Sequence, residues 1–286
     1  MLRFHWLLLG LVLCLFGCGE DDAGSEGDGS SRAGEPLVMT TFYPTTYFTE
    51  RIGGQWVRVT CPVPEDADPI FWQPSRDDLA NYQKADLIIV NGAEFEKWVS
   101  GASLPSSRIV DTAKRFEDQF VKFETTSHRH GTQGEHTHEG IDGHTWLDPV
   151  LAREQAKEIE SALTRRFSRH AEPFRLAALG LYGDLEKLHK RLLKSAKDIQ
   201  SVQLLASHPA YNYLAQRYDW NIQNFDLDPK APLEPEQIEA LKLAIPESGR
   251  AILLWESAPL EESAAKLKDE LGLASIVYSP AELLGE

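Results

Sequence analysis

The chain has 286 residues, 42% hydrophobic and 26% charged, enough apolar content to bury a core and a length that fits one large or two small domains. Its formal net charge is −15 and no dense Lys/Arg run occurs, which argues against nucleic acid as a partner. The cysteines are Cys14, Cys18 and Cys61; with the first two in the leader, Cys61 is alone, so no internal disulfide supports the fold.

Arg3 followed by an apolar run over residues 6–16 reads as an export signal, too short for a comfortable membrane-spanning helix. The run ends in Leu15-Phe16-Gly17-Cys18, which resembles the cleavage motif of bacterial lipoproteins. Residues 1–18 are therefore expected to be a lipoprotein signal peptide, with Cys18 the lipidated first residue of an exported, membrane-anchored protein facing the periplasm or cell exterior. Residues 19–35, rich in Gly, Ser, Asp and Glu, have little to bury and read as a flexible acidic tether with a reach of roughly 20–25 Å.

From residue 36 strands alternate with helices. Residues 37–41 read as a strand, a helix from Thr45 stops at Gly53-Gly54, and residues 55–61 form a second strand ending at Cys61, expected to be a buried thiol. Ser75 with Asp78 three residues on marks a helix start. The apolar run 87–90 reads as a strand covered on both faces, closed by Asn91-Gly92. Residues 126–144 lack apolar periodicity and read as a His-rich loop. Asp148-Pro149 then caps a helix with Ala152, Ala156, Ile159 and Leu163 at helical spacing.

After Pro173 a stripe from Phe174 through Leu181, Leu185 and Leu192 marks the longest helix, expected over residues 171–198 as a link between two α/β lobes, 36–170 and 199–286. The second lobe repeats the alternation: strands at 203–206, 220–224, 251–255 and 275–278, helices at 209–218 and 259–271.

Five of the nine histidines lie between positions 128 and 144. His128, His130, His136 and His138 form two His-x-His pairs suited to auxiliary metal capture, with a solvated, compositionally biased loop as the plain alternative. His144 is different, since it sits just ahead of a capped helix. His208 and Glu256 each follow an apolar strand, at the carboxyl edge where open α/β sheets place their ligands. Taken singly, each of these three fits a structural role as well as ligation. Histidine-rich ligation favours Zn2+ over Mn2+, which prefers oxygen donors. A zinc hydrolase is disfavoured: no His-Glu-x-x-His occurs, and Gly140 and Ile141 stand where His136-Thr137-His138 would need an aspartate and a histidine.

Several segments in fixed order carry a family resemblance: Tyr43-Pro44, Asp68-Pro69 before Gln73-Pro74-Ser75, Ala85-Asp86-Leu87 into Asn91-Gly92, the His-rich stretch, His144 through Pro149, and Ser207-His208-Pro209-Ala210-Tyr211 with Arg217-Tyr218. Over essentially the whole mature length the chain resembles the zinc/manganese-type solute-binding proteins of bacterial ABC transporters. The resemblance implies two parallel-sheet α/β lobes joined by a long rigid helix, a metal held in the interlobe cleft, and docking of a monomer to an ABC permease. Of the family's four ligands, the second and third correspond to His144 and His208. The first falls on Ile70, which cannot ligate, and the fourth, an acidic residue, falls on Ser279-Pro280. Glu256, Asp68, a loop histidine or water are the candidates to complete the set. The rival roles are a metal-buffering or sensing lipoprotein with a degenerate transport site, and an adhesin.

Overall fold

A computed structural model describes residues 34–65, 67–130 and 134–283, with the backbone path alone at 123–139. The leader, Cys18 and nearly all of the tether lie outside the described residues.

The first lobe opens with β1 (Leu37–Thr40), α1 (Tyr43–Gly53) and β2 (Arg58–Thr60), followed by α2 (Arg76–Lys84), β3 (Leu87–Val90) and β4 (Ile109–Asp111). All four strands run parallel in the order β2-β1-β3-β4. Every residue of β3 is buried, because helices cover both faces of a parallel sheet. α2 starts with a complete capping box: the Ser75 side chain accepts from Asp78 N, and Asp78 accepts from Ser75 N. β4 was not expected from the sequence; three residues carry too little pattern. Cys61 lies just past β2 and is half-buried rather than enclosed.

The segment expected to be a loop is paired instead. β5 (Lys122–His130) and β6 (Gly134–Ile141) form an antiparallel hairpin in which His128 stands opposite His136 and Thr126 opposite His138. A hairpin supplies its own backbone hydrogen bonds, so it needs no apolar stripe to declare it.

Next come α3 (Pro149–Arg166) and α4 (Ala171–Ile199), the latter 29 residues and about 43 Å long. The first turns of α4 bury Phe174, Ala178 and Leu181 in the core of the first lobe, against Val38, Ile89 and Ile159. Its last turns place Leu192, Ala196 and Ile199 in the core of the second, against Leu204 and Leu214. One helix therefore belongs to both cores.

The second lobe contains β7 (Gln203–Ala206), α5 (Asn212–Tyr218), β8 (Ile222–Asn224), α6 (Pro235–Ala244), β9 (Ala251–Trp255), α7 (Glu261–Leu271) and β10 (Ala274–Val277). Its strands are parallel in the order β10-β9-β7-β8. Relabelled from its own first strand, this is the topology of the first sheet. Both sheets switch direction between their first and third strands, the place where open α/β sheets form a ligand crevice. Every described core cluster is built from residues between Leu37 and Tyr278. Among the described residues no helix is long and apolar enough to cross a membrane.

Candidate metal centre

His144 reaches the cleft on a short turn between β6 and α3. Gly143 is required there, because a Cβ would come within 2.9 Å of Phe95 side-chain atoms. The turn is fixed from behind by Asn91, whose Nδ2 donates to Gly143 O (2.8 Å) and whose Oδ1 accepts from Gln155 Nε2 (2.8 Å). Asp148 caps α3 through Oδ1 to Val150 N (2.8 Å), while its Oδ2 receives Arg217 of α5 at 2.7 Å. The same carboxylate thus starts a helix in one lobe and ties it to the other.

The His144 ring is 1% exposed and stands between two carboxylates. Its Nδ1 donates to Asp142 Oδ1 (2.6 Å), and its Nε2 faces Glu282 Oε1 at 2.9 Å. Asp142 is itself held: Oδ2 accepts from Asn212 Nδ2 (2.9 Å), and its carbonyl accepts from the Tyr213 hydroxyl (2.8 Å). Burial disfavours a charged imidazole, but Asp142 and then Glu282 outweigh it, so the His144 pKa is pushed up to about 10.

His208 follows β7 and is 6% exposed. Its ring lies edge-on to His144, centroids 5.5 Å apart. Ser207 Oγ accepts from Glu256 N (3.1 Å), which ties the carboxyl ends of β7 and β9 together. The Glu256 carboxylate thereby comes to lie 3.7 Å from His208 Nδ1.

Glu282 arrives on the segment after β10. That segment leaves the second lobe at Tyr278, whose N–H donates to Trp255 O (2.8 Å), and crosses to the first. There Pro280 O accepts from Trp146 Nε1 (2.8 Å) and Glu282 O accepts from Tyr43 N (3.3 Å). Ala281, at the bend, has φ +58°, a left-handed conformation that costs a residue bearing a Cβ. A cavity of about 250 Å³, bordered by Tyr43, Thr46, Cys61, Glu65 and Glu282, opens beside it. Burial raises the Cys61 pKa.

Nitrogen atoms of His144 and His208 and a carboxylate oxygen of Glu282 all lie within 4.8 Å of one another, the arrangement of a two-nitrogen, one-oxygen metal site. Glu256, 3.7 Å from His208 Nδ1, lies outside this cluster. Asp68 is likewise outside it: Oδ1 accepts from Ile70 N (2.8 Å) and organises its own turn. Ile70 packs with Phe42, Phe95 and Trp146 in an apolar wall beside His144. The side chains of His128, His130, His136 and His138 lie outside the described part of the hairpin. Sequence reasoning missed Glu282 and Asp142. The first is the sole carboxylate between Glu270 and Glu286, three positions from Ser279; the second precedes His144 by two.

Residues 38–285 match the family model described as "Zinc-uptake complex component A periplasmic". The chain is 27% identical to the high-affinity zinc uptake system protein ZnuA of Bacillus subtilis, covering 98% of this chain and 89% of that protein. It is also 27% identical to the zinc-binding lipoprotein AdcA of Streptococcus pneumoniae strain R6, over 88% of this chain but only 51% of AdcA, so it spans about half the length of that relative. The crystal structure of the metal-dependent lipoprotein YcdH of Bacillus subtilis superimposes with a TM-score of 0.75 at 26% identity, covering 88% of this chain and 90% of that one. The Zn(II)-bound ZnuA-like domain of S. pneumoniae AdcA shares the fold, with a TM-score of 0.74 at 22% identity over 88% and 90% of the two chains. With the family model spanning nearly all described residues, and with two parallel-sheet lobes around a buried His/His/Glu cluster, the chain belongs to the periplasmic zinc-uptake complex component A family.

Proposed function

We propose that the protein captures a divalent metal ion, Zn2+ rather than Mn2+, outside the cytoplasm and hands it to an ABC permease for import. The observation that carries this is the convergence of His144, His208 and Glu282 within 4.8 Å, from the end of the hairpin, the end of β7 and the C-terminal crossing segment. Two imidazoles and one carboxylate suit zinc, and Ile70 leaves the fourth position of a tetrahedral site to water or a small ligand. Asp142 acts behind His144, with a carboxylate hydrogen-bonded to the ring Nδ1 that orients the ring and raises the basicity of Nε2, while the Glu256 carboxylate acts on His208 through space from 3.7 Å. His128, His130, His136 and His138 serve as auxiliary metal-capturing residues.

The cargo is the ion itself and the site carries out no chemistry on it, so the protein is a carrier and not an enzyme. A monomer tethered through lipid on Cys18 keeps the carrier close to its permease.

Zinc titration of untagged protein, against His144→Ala, His208→Ala and Glu282→Gln, tests the assignment. Each variant is expected to lose affinity while the fold persists. Unchanged affinity in all three would reject the site. Metal analysis of the untagged protein as purified checks the preference for zinc over manganese.

A further inference from the structure

The two edges of the first sheet carry opposite chemistry. A parallel sheet starts all its strands on one edge, and His144 approaches from the other. β2 starts at Arg58, and Lys84 and Arg108 lie just before β3 and β4. The corner between α3 and α4 adds Arg165, Arg166 and Arg169, all exposed. Arg166 reaches the starting edge through Asp86, the residue before β3, at 3.2 Å. Asp86 and Glu158 offset Arg166 and Arg165, and Glu160 and Glu172 lie 4.0 and 3.8 Å from Arg175, which leaves Arg58, Lys84 and Arg169 as the exposed cations of this edge outside those ion pairs, in a chain of net charge −15.

Apolar groups accompany this charge. Trp56, two residues ahead of the start of β2, is 36% exposed and stacks on His170 with centroids 4.5 Å apart. Leu176 and Leu179 are 61% and 63% exposed, on the face of α4 opposite Phe174, Ala178 and Leu181. The described chain also enters at this edge, since Pro36 O accepts from Arg58 N (2.9 Å).

We infer that the amino edge of the first lobe is a docking surface for an anionic lipid bilayer. Arginines and lysine complement acidic headgroups, and a tryptophan with two leucines suits the boundary between headgroups and acyl chains. The first described residues, 34–36, arrive at the same edge. The reading needs the protein to be exported and does not need Cys18 to carry lipid. Seated this way, the lobe turns its carboxyl edge, and the metal site with it, away from the membrane toward incoming ions. Delivery then requires the protein to lift off and present its carboxyl edge.

The test is flotation of residues 34–286, which contain every described core cluster, with vesicles of phosphatidylglycerol and phosphatidylcholine in equal parts or of phosphatidylcholine alone. The unlipidated protein is expected to float with the anionic vesicles at low salt and to be released by high salt. Arg58→Glu, Lys84→Glu and Arg169→Glu combined should reduce binding at least about tenfold. Trp56→Ser with Leu176→Ser should weaken it and leave the salt response. Zinc affinity, read on the same samples, should stay at the wild-type value and certify the fold. No flotation with anionic vesicles at low salt, equal flotation with neutral ones, or undiminished binding by the folded triple variant would each overturn the proposal. The salt response of the unsubstituted protein decides the matter if that variant does not fold.

Discussion

Glu282 Oε1 lies 2.9 Å from His144 Nε2 although 138 positions separate the two residues. Glu282 belongs to a crossing segment tied at Tyr278 to the second lobe and at Pro280 and Glu282 to the first. Its carboxylate is 12% exposed, and without metal it faces a ring that is protonated at neutral pH. The ion pair and the proposed metal site therefore draw on the same two side chains.

Removing that carboxylate should weaken zinc binding far more than it weakens the fold. Structural zinc sites draw on the order of 10–16 kcal/mol from about four ligands, so one ligand is worth roughly 3 kcal/mol, or about a hundredfold in affinity. Glu282→Gln is expected to lose on that order in a chelator competition assay, with its metal-free thermal midpoint close to that of the parent. A loss below about threefold would remove Glu282 from the ligand set.

Zinc must displace the proton that His144 holds between Asp142 and Glu282. Because the His144 pKa is pushed up to about 10, the ring is protonated below that pH, and affinity should rise with pH from 6 to 9. Calorimetry in buffers of different ionisation enthalpy should show net proton release on binding. Binding that is independent of pH and buffer over this window would contradict the arrangement.

Asp142→Asn and Glu256→Gln separate ligation from orientation. Neither residue belongs to the His144, His208 and Glu282 cluster, yet both carboxylates face a histidine Nδ1. Such outer partners typically contribute 10- to 100-fold in metal affinity. A loss of about tenfold is expected in each variant, with zinc still bound at a ratio of one. Asp142→Asn should be the more severe, since the Asp142 contact is 2.6 Å and the Glu256 contact 3.7 Å.

A buried carboxylate behind the site makes stability depend on pH. Glu96 accepts from Asn91 N (2.6 Å) and from the Thr41 hydroxyl, and burial pushes its pKa up to about 7. The folded state then binds the proton more tightly than the unfolded chain. The stability this contributes is complete below pH 4.5 and is lost as pH rises through 7, to the extent of roughly 3 kcal/mol. Glu96→Gln keeps an acceptor for Asn91 N and should flatten this slope in denaturant melts between pH 4 and 8. An unchanged slope would place the titration elsewhere.

Most of the scaffold was legible because its signals are local. The apolar run at 87–90, the capping pair Asp148-Pro149 and the stripe from Phe174 to Leu192 each act within a few turns or one strand. The histidine-rich stretch was misread as a loop because a polar hairpin declares itself only through pairing, with His128 opposite His136. β4 was invisible for a related reason: three residues become a strand only beside β3.

The candidate site divides in the same way. The sequence by itself determined that His144 and His208 stand at the ends of regular elements, because a capped helix and an apolar strand fix the backbone at those points. Only the tertiary structure brings Glu282 within 4.8 Å of them and leaves Glu256 and Asp68 outside that grouping. That choice depends on where the segment after β10 crosses between the lobes and on which atoms Ser207, Trp146 and Tyr43 hold in place. Those contacts join residues a hundred or more positions apart or in different strands, and no periodicity along the chain encodes them.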